Sequence, residues 1–196
     1  MPEDLFTKQG QVFRDTHAPL AERLRPQSFG DLRGQESLFG EGQPLRVFLQ
    51  LDALPSCIFW GPPGTGKTTV AKLLAQATKA RFVELSAVTA GVSDLRLVME
   101  EARRRQDHYQ ERTILFVDEI HRFSKSQQDV LLPAIEMGVI ILIGTTTENP
   151  SFELNNALLS RCKVFIFEKL PTLAMEEIVE RALKAESKRV DRVIQL

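Results

Sequence analysis

Gly61–Thr69 read GPPGTGKTT, and the fold follows from what stands on either side of them. The stretch meets the pattern G-x-x-x-x-G-K-[ST], with Gly61, Gly66, Lys67 and Thr68 in the required places. The apolar run CIFW precedes it. KTTVAKLLAQATK follows, with Val70, Leu73, Leu74 and Ala77 spaced for one face of a helix. A strand, a glycine loop and a helix in that order wrap backbone N–H groups around phosphate oxygens and aim a helix N-terminus at the same charge. The loop Gly61, Pro62, Pro63, Gly64, Thr65, Gly66, Lys67 and Thr68 is thus expected to cradle nucleotide phosphates. Lys67 neutralises the β- and γ-phosphates, and the Thr68 hydroxyl is offered to Mg2+.

Four more short apolar runs recur downstream: RFVEL, TILFV, VIILIG and KVFIF. They are β-branched or aromatic and lack strict alternation, which suits strands buried on both faces of a parallel sheet. Helical patterns separate them: SDLRLVMEEARRR, with Ser93 as a candidate cap and Arg103, Arg104 and Arg105 closing it as a solvated end, then SKSQQDVLLPAI. The alternation predicts an α/β fold, a doubly wound parallel sheet of five strands. Residues 1–18 are polar and aperiodic and read as a flexible arm, residues 19–170 as the core, and PTLAMEEIVERALKAESKR within 171–196 as the first helix of a further, helical domain.

TILFVDEIH places Asp118 and Glu119 at the carboxyl end of the third run, the end that faces the ligand crevice in open α/β sheets. Asp118 is the natural Mg2+ partner through water, and Glu119 is placed to orient and deprotonate the attacking water; the bland alternative is a pair of acids capping the next helix. His121 reads as a packing or hydrogen-bonding histidine, because no second His or Cys stands at ligand spacing. The strand VIILIG should lie beside the one that carries Asp118. Its end offers Thr146, either a hydroxyl near the γ-phosphate or one that serves only the local backbone. Asn149 before Pro150 is a turn signal.

Composition limits the rest. The chain has 196 residues, 43% of them hydrophobic, which suffices for a core. No apolar run approaches the ~18 residues of a membrane span. The start carries two acids and no apolar stretch of a secretory signal. Cys57 and Cys162 read as buried thiols of a reducing, cytoplasmic compartment. The net charge of −1 leaves any nucleic-acid contact to a local patch.

Taken together the motifs resemble those of the clamp-loader clade of AAA+ ATPases. LAERLRPQSFGDLRGQ looks like the adenine-side box, GPPGTGKT and ILFVDE like the two Walker motifs, and SRC like the arginine-finger motif. LSAVTAGV, DEIHRFSKSQQD and TTENPSFELNNALLSR are more specific and resemble the replication-associated recombination ATPases, over Pro19–Leu170. The resemblance implies a P-loop AAA+ core with strand order 5-1-4-3-2, the start of a helical lid after it, and ATP with Mg2+ bound between subunits. It implies Thr146 as the first sensor and Arg161 as a finger reaching a neighbour's γ-phosphate. Where clamp loaders place a gating asparagine on the second strand, Ser86 stands here. Similarity to such rings also points Arg96, Arg122 and Lys125 toward DNA, with Ser93, Ser126 and Gln127 adding hydrogen bonds. The function implied is a DNA-stimulated ATPase of fork maintenance, repair and recombination, associated with the nucleoid. Its partners would be forked, single-stranded or gapped DNA, further copies of the chain, a single-stranded-DNA-binding protein and replisome components. A branch-migration ring motor and a hydrolytically inactive assembly partner are the alternatives.

Overall fold

The structure, a computed structural model, describes residues 18–194, with side chains through residue 187. All but the last residue of the expected arm lie outside the described residues. The larger of two compact units is Gly34–Leu170, and the described residues 18–33 cluster with 171–194 in the other.

Five strands form where the five apolar runs stand: β1 Cys57–Trp60, β2 Arg81–Ser86, β3 Thr113–Asp118, β4 Ile140–Thr146 and β5 Lys163–Ile166. They make one sheet in the order β2-β3-β4-β1-β5, every neighbouring pair parallel. Read from the other edge this is the expected 5-1-4-3-2. The helices are α1 Leu20–Arg23, α2 Glu36–Phe39, α3 Pro44–Gln50, α4 Lys67–Ala77, α5 Val92–Tyr109, α6 Lys125–Glu136, α7 Pro150–Glu153, α8 Asn156–Leu159 and α9 Thr172–Ile194. Short 3-10 turns occupy Phe29–Asp31 and Ile120–Arg122.

Alternation along β3 divides the core. Leu115 and Val117 join Leu95 and Ala102 of α5 and Leu131 and Ala134 of α6 in one cluster, with Ile140 and Leu142 of β4. Ile114 and Phe116 point the other way, as the two-residue period of a strand requires, and are also fully buried. Aromatic rings tie β1 to β5: Phe59 lies 4.9 Å from Phe167 and 6.1 Å from Phe165, centroid to centroid.

Four local expectations need correction. The outer strands are not buried on both faces: β2 is half-exposed along its length, and Val164 and Ile166 of β5 are exposed, because an edge strand has a neighbour on one side only. In α4 the last residue, Ala77, is exposed, while Ala71 and Ala75 are buried beside Val70, Leu73 and Leu74. The cap of α5 is Gly91, not Ser93, and the Asp94 carboxylate accepts from the Gly91 N–H at 2.7 Å. α5 also runs on past Arg105 to Tyr109, since Arg105 is held inside it by Glu101 and by Glu111 (3.2 Å).

In the smaller unit Arg181 of α9 donates to the carbonyls of Asp31 (3.1 Å) and Leu24 (3.4 Å), and Arg33 pairs with Glu177 at 2.5 Å. These bonds satisfy carbonyls of a segment with little regular structure of its own. Among the described residues no helix is long and apolar enough to cross a membrane.

Both cysteines are free. Burial pushes the Cys57 thiol well above its ordinary range and that of Cys162 up to about 12. A thiolate, not a thiol, is the nucleophile. Native protein at pH 8 should therefore react only slowly with an aromatic disulfide reagent, and denatured protein should release two thiols per chain at once; fast native labelling would contradict the burial described.

Candidate active site

The sheet order puts β1 at the centre of the site, with β4 between it and β3. All strands run the same way, so the loop after Trp60, the pair Asp118–Glu119 and the end of β4 share one edge.

The phosphate loop is built on two tight constraints. Gly61 donates its N–H to the Thr146 carbonyl at 3.2 Å, and a Cβ on Gly61 would lie 2.1 Å from the Phe167 carbonyl oxygen. The start of the loop is thus wedged between the ends of β4 and β5. Gly66 caps α4 with φ +93, a left-handed conformation that disfavours any side chain. No side chain caps α4, so the N–H groups of its first turn are left to an external acceptor, and a polyphosphate is the acceptor that suits them. Lys67 turns its ammonium onto the Gly61 and Pro62 carbonyls, both at 2.7 Å, inside the loop. Burial lowers its pKa, and the Asp118 carboxylate acts in the opposite sense.

Thr68 is the second residue of the helix and Asp118 ends β3, so a hydroxyl and a carboxylate oxygen are the protein donors that would be offered to Mg2+, a set that suits a hard cation keeping water and phosphate oxygens. Among the described residues no group of three or more His, Cys, Asp or Glu is placed to hold a metal alone. His121 makes a hydrogen bond, its Nδ1 3.0 Å from the Thr146 hydroxyl.

Glu119 sits in a left-handed conformation, φ 53 and ψ 48, where the chain leaves the strand. Its carboxylate pairs with Arg122 at 2.5 Å. Ser86, at the position of the clade's gating asparagine, accepts from the Val88 N–H at 3.3 Å instead. The Thr146 hydroxyl is buried and serves His121 together with the Glu148 N–H (3.0 Å) and carbonyl. Asn149 accepts from the Ser151 N–H and caps α7, as a turn residue would.

Arg161 lies at the other end of the sheet. It precedes Lys163, which is in register with Cys57, the first residue of β1, whereas the phosphate loop follows the last. The separation along the strand is roughly 13 Å at the usual rise per residue. The guanidinium is held by Glu136 of α6 (Nε to Oε1, 2.7 Å) and donates to the Ala157 carbonyl at 2.8 Å.

Two residues escaped the sequence reading. Thr145, one position before Thr146, donates to the Asp118 carboxylate and accepts from the Glu119 N–H. Only the strand register reveals which threonine of the three faces Asp118. Gln128 is buried: its amide donates to the Phe123 and Glu153 carbonyls, and its oxygen accepts from the Asn155 N–H. It fastens α6 to the connection that leads to Arg161. The adjoining Gln127 is engaged too, bonding the Ser124 N–H and the Ala90 carbonyl, which brings the starts of α5 and α6 together. Arg96, Arg122 and Lys125 are exposed on and before these two helices.

A glycine loop on the central strand with two carboxylates at the same edge of a parallel sheet is the arrangement of a P-loop ATPase. Residues 57–170 match the family described as "ATPase family associated with various cellular activities (AAA)", and the chain belongs to it. It is 52% identical over 167 residues to the replication-associated recombination protein A of Haemophilus influenzae, which covers 85% of this chain and 37% of that one. It is 50% identical over 179 residues to the ATPase WRNIP1 of Dictyostelium discoideum, covering 91% of this chain and 20% of that one. The chain thus spans well under half the length of these relatives. In structure it resembles the RuvB Holliday junction branch migration motor of Thermotoga maritima, with a TM-score of 0.68, 28% identity, and coverage of 84% of this chain and 55% of that chain.

The wedge at Gly61 is directly testable. Gly61→Ala should force the loop off β5, lower stability by about 1–3 kcal/mol as overpacking does, and weaken ATP binding; an unchanged melting temperature and affinity would show that the loop start is not so confined.

Proposed function

We propose that the chain is the nucleotide-hydrolysing core of a DNA-associated AAA+ ring that acts in replication-fork maintenance, repair and recombination. The observation that carries the reading is the opposition of Arg161 to its own phosphate loop across β1. An arginine so placed serves a neighbour's ATP. Guanidinium suits that task because it stays charged and spreads several donors over phosphate oxygens.

In this reading residues 61–68 bind ATP, and Lys67 offsets the charge of its outer phosphates. Thr68 and Asp118 hold Mg2+, which when bound neutralises the developing charge on the β- and γ-oxygens. Glu119 orients the attacking water and takes its proton. Thr146, at the end of β4 beside Trp60, is the hydroxyl that reports the terminal phosphate. Arg161 of one subunit stabilises the transition state on the next. We take residues 19–170 as the ATPase core and the helix beginning at Thr172 as the start of a lid. The cytoplasm, at the nucleoid, is the place of action, with DNA, further copies of the chain and a single-stranded-DNA-binding protein as partners. The recombination setting is supported by the Haemophilus influenzae relative at about half identity, whose name carries it. Arg96, Arg122 and Lys125 meet DNA phosphates, so binding would be driven by charge and shape.

ATP turnover measured against protein concentration, with and without forked DNA, tests the reading. Specific activity should rise with concentration. Arg161→Ala should leave ATP binding largely intact and lower turnover about 10³-fold or more, and mixing it with a Lys67→Ala chain should restore part of the rate. A concentration-independent rate untouched by Arg161→Ala would exclude a shared site, and no turnover above that of Glu119→Gln would leave an inactive assembly partner.

For DNA, the double variant Arg122→Ala, Lys125→Ala should weaken binding equally across sequences and reduce the salt slope by about one for each phosphate it no longer neutralises. Retained affinity and slope would place the DNA on another face.

A further inference from the structure

We infer that Thr145 is a positioning residue of the ATPase site, the group that sets both carboxylates at once. The inference rests on the reading of Asp118 and Glu119 as the metal-holding and water-orienting acids. Thr145 lies on β4 and is buried. Its hydroxyl donates to Asp118 Oδ1 at 2.5 Å and accepts from the Glu119 N–H at 3.2 Å. One hydroxyl has one proton and two lone pairs, so both bonds form together.

The need for such a group follows from the backbone. The last β3–β4 pair is Val117 with Gly144. Beyond it Glu119 adopts a left-handed conformation, rare outside glycine, and its N–H leaves the sheet ladder. Thr145 supplies the acceptor that the ladder no longer offers. The neighbouring residue grips the same turn: a Cβ on Gly144 would meet Ile120 Cδ1 at 2.8 Å, so Ile120 is seated directly on β4. Gly144 receives the residue after the two acids, and Thr145 holds the acids. The next residue, Thr146, is committed to His121 and Glu148, so it does not duplicate the role.

The test compares Thr145→Val, which keeps the shape and removes the hydroxyl, with Thr145→Ser and Asp118→Asn. Three readouts are taken: binding of a fluorescent ATP analogue in EDTA, the Mg2+ concentration for half-maximal tightening of that binding, and hydrogen exchange of a peptide spanning residues 118–123 in protein without nucleotide. Thr145→Val should bind the analogue normally in EDTA, since the phosphate loop is untouched. Its Mg2+ requirement should rise about tenfold, as loss of an outer-shell partner of a metal ligand does, and exchange in the peptide should quicken. Thr145→Ser should restore both. Equal losses with and without Mg2+ would reduce Thr145 to a packing residue and overturn the inference. A raised Mg2+ requirement in Asp118→Asn with none in Thr145→Val would overturn it alone. No change in Asp118→Asn would remove the reading on which it stands, and the inference with it.

Discussion

The site depends on β4 standing between β1 and β3. β1 launches the phosphate loop and β3 ends in the two acids, so any ligand that touches both must bridge the width of one strand. Parallel ladders on each side of β4 fix that width at about two inter-strand spacings, roughly 10 Å. The loop is pinned to the same strand by the Gly61 N–H on the Thr146 carbonyl. The acids are pinned to it by Thr145. The frame offered to a ligand thus takes its width from the backbone ladders and the setting of its acids from one side-chain hydroxyl.

The opposite edge is built with equal care, and from α6. Gln128 takes three hydrogen bonds without exposure to water, Asp129 accepts from the Asn155 side chain at 2.7 Å, and Glu136 takes the Arg161 guanidinium. Buried amides left without partners cost about 1–3 kcal/mol each, so this network specifies one path for the chain from β4 to Arg161. The strings DEIHRFSKSQQD and TTENPSFELNNALLSR thereby acquire a physical meaning. They are the two halves of a clamp, and the arginine is what it presents. α6 follows the turn that pairs Glu119 with Arg122 and ends at Glu136, the partner of Arg161, so the helix leads from the acid end of the sheet to the arginine end.

Charge inside the unit is balanced locally. Lys67 rests on loop carbonyls, Glu119 on Arg122 and Arg161 on Glu136. Each of these three charged groups has an internal partner of the right polarity. Arg122 has two claims on it, as the partner of Glu119 and as a candidate for DNA phosphate, while Ser86 bonds within its own turn.

The strands were legible because each is a short β-branched or aromatic run, and the phosphate loop because its chemistry demands glycines, a lysine and a hydroxyl at fixed spacing. Those requirements are local, and a sequence carries local requirements openly. Thr145 was passed over in favour of Thr146, Gln128 was not singled out, and Gln127 was set toward DNA, because which hydroxyl or amide faces a given partner is decided by strand register and by the docking of α6 on the α7–α8 connection. The order of residues was enough for the class of fold and for proposing a phosphate site and its acids. Which neighbours hold those acids was settled by the folded sheet alone, because a one-residue shift along a strand turns a side chain to the other face and exchanges every partner it has.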